Sequence, residues 1–98
     1  MQFIQDDPIH PGEILKDDFL GEYGLSAERV AQDIGMPTDS LSEILAARAG
    51  VTAEVALRLS RYFDNSPEFW LNLQRAFDLA IALKAAKGLD KIIPVRAA

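Results

Sequence analysis

Ser26-Ala27-Glu28-Arg29-Val30-Ala31-Gln32-Asp33-Ile34-Gly35, continuing as Met36-Pro37-Thr38-Asp39-Ser40-Leu41-Ser42-Glu43-Ile44-Leu45-Ala46-Ala47-Arg48, is the stretch on which the fold turns. Two helices that cross closely at a short turn need a small residue at the crossing, a glycine in the turn and apolar anchors on the second helix. Ala31 is small, Gly35 follows it by four residues, and Leu41 and Ile44 come six and nine residues after that glycine. Val30 and Ile34 supply the inward side of the first helix. The spacing predicts a helix-turn-helix unit over about residues 26–48. An ordinary helical hairpin with a glycine turn is the plainer alternative.

Working outward, the flanks also read as helix. His10-Pro11-Gly12-Glu13 looks like a helix start, with proline at the first helical position and an acid in the first turn. Leu15, Phe19 and Tyr23 recur at four-residue steps as a buried stripe, and Gly24 closes the helix. Thr52 caps a fourth helix that turns Val55, Ala56, Leu59, Tyr62 and Phe63 inward. Ser66-Pro67-Glu68 opens a fifth, expected to run to about Lys87 before Gly88. Ile92-Ile93-Pro94-Val95 is a candidate for a short C-terminal edge strand. The expected fold is all-α, one domain over residues 1–98, with five helices.

Composition narrows the function. The 98 residues contain no cysteine, so thiolate metal sites, disulfide scaffolds and cysteine nucleophiles are excluded. No apolar run reaches the ~20 residues of a membrane helix, and a cytoplasmic protein is expected. The net charge of −5 is unevenly spread: residues 1–50 hold ten acids against three bases, residues 51–98 five against seven. An acidic half favours basic partners and repels phosphate. His10, the only histidine, reads as a cap or packing residue, because Pro8 and Pro11 spoil the helical spacing that would aim it with Asp6 and Asp7 at a metal. No cofactor, metal site or catalytic residue is assigned. The chain reads as a non-enzyme.

If the unit binds double-stranded DNA, its outward residues are Ser26, Arg29, Thr38, Asp39, Ser40, Ser42, Glu43 and Arg48. Hydroxyls and helix N-terminal N–H groups suit phosphates and base edges, Glu43 or Asp39 would accept from cytosine, and Arg29, Arg48 and Arg58 would meet phosphates. So few bases imply weak binding per monomer and a shallow salt dependence. The fifth helix, about residues 66–87, has an apolar arc of roughly 200°, where a one-sided surface helix needs about 100°. Phe69, Trp70, Leu73, Phe77 and Ile81 are therefore expected to join two copies in an isologous homodimer.

The chain resembles the HigA/VapI-type antitoxins of the repressor-like (XRE) helix-turn-helix family. The resemblance is carried by Pro8-Ile9-His10-Pro11-Gly12-Glu13-Ile14-Leu15, by Gly50-Val51-Thr52-Ala53 with Ala56-Leu57-Arg58-Leu59, and most distinctively by Ser66-Pro67-Glu68-Phe69-Trp70-Leu71-Asn72-Leu73-Gln74. It implies a dimer that binds an inverted-repeat operator, represses its own operon and neutralises a small basic HigB/RelE-type mRNA endonuclease toxin. Ala27, where relatives often carry Gln, and Thr38 and Asp39, where they commonly have Arg, depart from the pattern. Asn72 and Gln74 are read as structural.

Charge complementarity places the toxin on the acidic N-terminal segment and first helix: Asp6, Asp7, Glu13, Asp17 and Asp18. Two other functions fit the same residues, a stand-alone transcriptional regulator and a protein-interaction module with a degenerate DNA face.

Overall fold

The computed structural model describes residues 8–97, in which five helices carry the fold. The first, α1, starts as Pro11–Ile14, widens into a π-helical stretch over Leu15–Leu20 and ends with Gly21–Tyr23. His10 precedes it in extended conformation, and its Nδ1 accepts the Gly12 N–H at 2.8 Å. Within the wide stretch the Gly21 N–H reaches back five residues to the Lys16 carbonyl. That extra residue moves the buried face along by one position. Leu15 and Leu20 are buried, Phe19 is half-buried, and Tyr23 is 61% exposed. The expected stripe of Leu15, Phe19 and Tyr23 is thus corrected at its far end.

α2 spans Ala27–Ile34 and α3 spans Thr38–Leu45. Ser26 Oγ caps α2 by accepting the Arg29 N–H at 3.1 Å. Gly35 ends it at φ 75°, a left-handed conformation suited to glycine, and both the Gly35 and Met36 N–H groups return to the Ala31 carbonyl. Val30 and Ala31 of α2 are fully enclosed, as is Leu41 of α3. The close crossing predicted from Ala31 and Gly35 is present.

α4 covers Ala53–Phe63 and α5 covers Pro67–Ala85, capped by Thr52 and Ser66 respectively. The core gathers Leu15, Leu20, Val30, Ala31, Ile34, Leu41, Ile44, Val51, Ala56, Leu59 and Trp70. Trp70 is fully buried, and its indole N–H donates to Asn65 Oδ1 at 3.0 Å. It therefore belongs to the core, not to the pairing surface expected for it. Gln74 Oε1 accepts the Val51 N–H at 2.7 Å, tying α5 to the segment before α4, the structural part expected of that residue.

Gly12 is a close-approach residue. A Cβ built on it would lie 1.8 Å from the Ile44 carbonyl oxygen, so only glycine lets the first turn of α1 rest against the end of α3.

Past Ala80 no residue of α5 is buried, and the helix stops at Ala85, short of Lys87, where Ala86 turns extended. The tail forms two 3₁₀ turns, Leu89–Lys91 and Val95–Ala97, and no strand is present among the described residues. Ile92, Ile93 and Val95 are well exposed, and Pro94 cannot donate to a ladder, so the expected edge strand has neither a partner nor a full set of donors.

Candidate nucleic-acid interface

The inner sides of α2 and α3 are consumed by the core, which leaves their polar residues to solvent. Asp39, Ser40 and Glu43 are exposed along α3, with Thr38 and Ser42 half-buried at their bases. Ser26 and Arg29 are exposed at the start of α2, and Arg48 is exposed just after α3. The structure thus exposes, fully or in part, all eight residues expected to face DNA.

The basic members of this group are not free charges. Arg29 Nε lies 2.8 Å from Asp33 Oδ2, and the same oxygen accepts the Tyr62 hydroxyl at 2.6 Å. The Tyr62 hydroxyl first, then Arg29, holds the Asp33 carboxyl below the usual carboxylate range, while Asp33 pushes the Tyr62 phenol up. Arg48 forks onto Glu43, with Nη2 at 2.8 Å from Oε2 and Nε at 3.2 Å from each oxygen. Its hydrogen bonds lower the Glu43 pKa. Arg58 pairs with Glu54 at 2.9 Å and donates Nη1 to the Ile34 carbonyl at 2.8 Å. That second bond makes Arg58 a cap on the end of α2, a role its expected phosphate contact did not include.

Exposed ion pairs of this kind are weak and break readily for a stronger partner. The surface is therefore electrostatically muted: each of these arginines carries its own carboxylate. Sequence reasoning missed the pairings with Asp33 and Glu54, although both follow the helical spacing of four residues. The bond from Tyr62 to Asp33 joins residues 29 positions apart and had no sequence signal.

The other expected residues separate into groups. Glu13, Asp17 and Asp18 are exposed on α1. Asp6 and Asp7 lie outside the described residues. On α5, Phe69 and Ile81 are 37% and 45% exposed, and Leu73 and Phe77 are half-buried. His10 is buried, caps α1 and meets Phe77 edge-on with ring centroids 4.8 Å apart. Desolvation lowers its pKa, against opposing pulls from Asp78 and Glu13. Among the described residues no helix is long and apolar enough to cross a membrane.

Comparison with known proteins gives this geometry a family. The helix-turn-helix family model matches residues 18–71. Virulence-associated protein I of Dichelobacter nodosus is 41% identical over 87 residues, covering 89% of this chain and 81% of that protein. Antitoxin HigA-1 of Vibrio cholerae is 40% identical over 73 residues, or 74% of this chain and 68% of its own. Among solved structures, the Pseudomonas aeruginosa antitoxin HigA with the higBA promoter superposes with a TM-score of 0.85 at 39% identity, covering 91% of this chain and 99% of that one. The matches run through the crossing of α2 and α3 and on into α5. The chain belongs to the helix-turn-helix family of HigA/VapI-type antitoxins, which are DNA-binding proteins and not enzymes.

Proposed function

We propose that the chain is the antitoxin of a toxin–antitoxin pair, which neutralises a HigB/RelE-type mRNA endonuclease and represses its own operon as a dimer on operator DNA. The observation that carries this reading is the match, over nearly the whole chain, to an antitoxin solved with its promoter, together with an exposed polar face on α3. In this reading α3 enters the major groove from its Thr38 end. Ser40, Ser42 and Glu43 approach base edges, Asp39 lies beside them, and Ser26, Arg29 and Arg48 approach the backbone. Two copies join through the apolar residues Phe69, Leu73, Phe77 and Ile81 of α5, setting their recognition helices about 34–36 Å apart. The acidic residues Glu13, Asp17 and Asp18 of α1 form the toxin-binding surface, with Asp6 and Asp7 preceding it.

The test has two arms. Binding of the purified protein to a duplex from its own promoter, followed across salt, checks the repressor half, and complete absence of binding at low salt overturns it. Co-expression with the basic protein encoded beside it checks the antitoxin half: rescue of growth supports it, and continued toxicity overturns it. Operator binding with no toxin gene adjacent would identify a stand-alone regulator.

A further inference from the structure

Six aromatic rings meet where the ends of α1 and α4 approach the start of α5. Phe19 lies against Phe63, Phe69 and Trp70 with centroids 4.9, 6.0 and 4.9 Å away. Tyr62 meets Phe63 edge-on at 4.9 Å, and Tyr23 stacks on Phe63 at 5.8 Å with 24° between the planes. Most of this cluster is core. Tyr23 is not: it is exposed at the last turn of α1, and it walls a surface hollow of about 410 Å³ with Leu25, Tyr62, Phe63 and Asp64.

The one charged residue that lines the hollow is acidic, although Arg61 lines the adjoining hollow beyond Tyr62 and Arg29 reaches the Tyr62 network through Asp33. Tyr23 and Phe63 are the last residues of α1 and α4, so two helix C-termini, each carrying partial negative charge, converge there. Asp64 is part of the wall, and Glu22 precedes Tyr23; neither takes part in an ion pair among the described residues. Arg61 is exposed nearby but does not line this hollow. Aromatic faces beside a carboxylate attract cations and offer nothing to phosphate.

We infer that this hollow receives an arginine or lysine side chain projected by a basic protein partner. The cation lies on the Tyr23 ring and faces the Asp64 carboxylate. The inference rests on the antitoxin reading, in which the partner is the toxin, and it extends the docking surface from the acidic face of α1 to the end of α4.

The experiment measures the affinity of the purified neighbouring toxin for this chain and three variants by calorimetry. Tyr23→Ala is expected to weaken binding about tenfold, and Asp64→Asn, which keeps a residue tolerant of the left-handed backbone there, about threefold or more. Tyr23→Phe retains the ring and should stay within about twofold. Thermal melting shows whether each variant is folded, and operator binding should be unchanged in all of them. Wild-type binding with Tyr23→Ala and Asp64→Asn both unaffected overturns this inference and leaves the antitoxin reading standing. No toxin binding by the wild type overturns both. Loss of operator affinity in Tyr23→Ala would assign the hollow to the DNA side and likewise overturn it.

Discussion

Arg48 and Glu43 form a two-pronged ion pair just past α3, so a base that the proposed function assigns to phosphate is already occupied. Phosphate must displace Glu43 to reach it. Glu43→Gln removes the competing charge and its repulsion while keeping an amide oxygen that can still accept from a base edge, and operator affinity at low salt should rise about threefold or more. Arg48→Ala should lower affinity and reduce the slope of log affinity against log salt by about one. A gel-shift series across salt reads both. Equal affinities for Glu43→Gln and wild type would show that the pair does not compete with DNA.

Gly12 and its contact with Ile44 predict a large effect from one methyl group. Gly12→Ala places a Cβ inside the van der Waals radius of the Ile44 carbonyl, so α1 or α3 must shift. We expect a loss of about 3 kcal/mol of stability, a large part of the ~5–15 kcal/mol typical of a domain. Denaturant unfolding measures it. Surviving folded protein should bind operator more weakly, because α3 is held in place by this contact.

His10 makes stability depend on pH in a defined direction. Burial lowers its folded pKa below 6.5, so the unfolded chain takes up a proton that the folded chain resists. The stabilising contribution is complete above about pH 7 and is lost as pH falls through 6.5 toward the folded value. Protonation also removes the Nδ1 acceptor that caps α1. His10→Asn keeps a capping oxygen without the titration. Its melting temperature should therefore fall less than that of the wild type between about pH 7.5 and about pH 5.

Ala47, two residues past α3, lies at φ 62°, in the left-handed region where a Cβ is strained. The Arg48 N–H returns to the Glu43 carbonyl at 2.8 Å, so this turn closes α3. Ala47→Gly relieves the strain but frees the unfolded chain, and the balance should be a gain of about 0.5–1 kcal/mol. Differential scanning calorimetry should show Tm raised by roughly 3–6 °C. A lower Tm would mean that entropy outweighs strain at this position.

Much of the fold was legible because local rules and core packing agreed. Ser26, Thr52 and Ser66 cap the helices they precede, and Ala31, Gly35, Leu41 and Ile44 sit at the crossing as their spacing required. What escaped depends on tertiary contact or on a break in periodicity. A strict four-residue step cannot register a π turn, so Tyr23 was placed inside and Leu20 went unnoticed. Gly12 was visible as a residue of a helix start, but its reason lies 32 positions away in the Ile44 backbone. Apolar residues on a long helix do not say which side is already covered, and that is why Trp70 reads from the sequence as either core or pairing surface. The candidate DNA face was legible as positions; its ion pairs depended on which rotamers the neighbouring acids adopt.

The bare contact between Gly12 and Ile44 leaves no side chain of Gly12 between the first turn of α1 and the end of α3. Backbone against backbone leaves little room for compression, so the first turn of α1 and the end of α3 hold each other in place at this point. In the proposed function, a protein held on the acidic side of α1 and a duplex held by α3 would sit on helices that meet at this contact. Occupancy by one ligand and fit to the other would then be mechanically linked through a residue that touches neither.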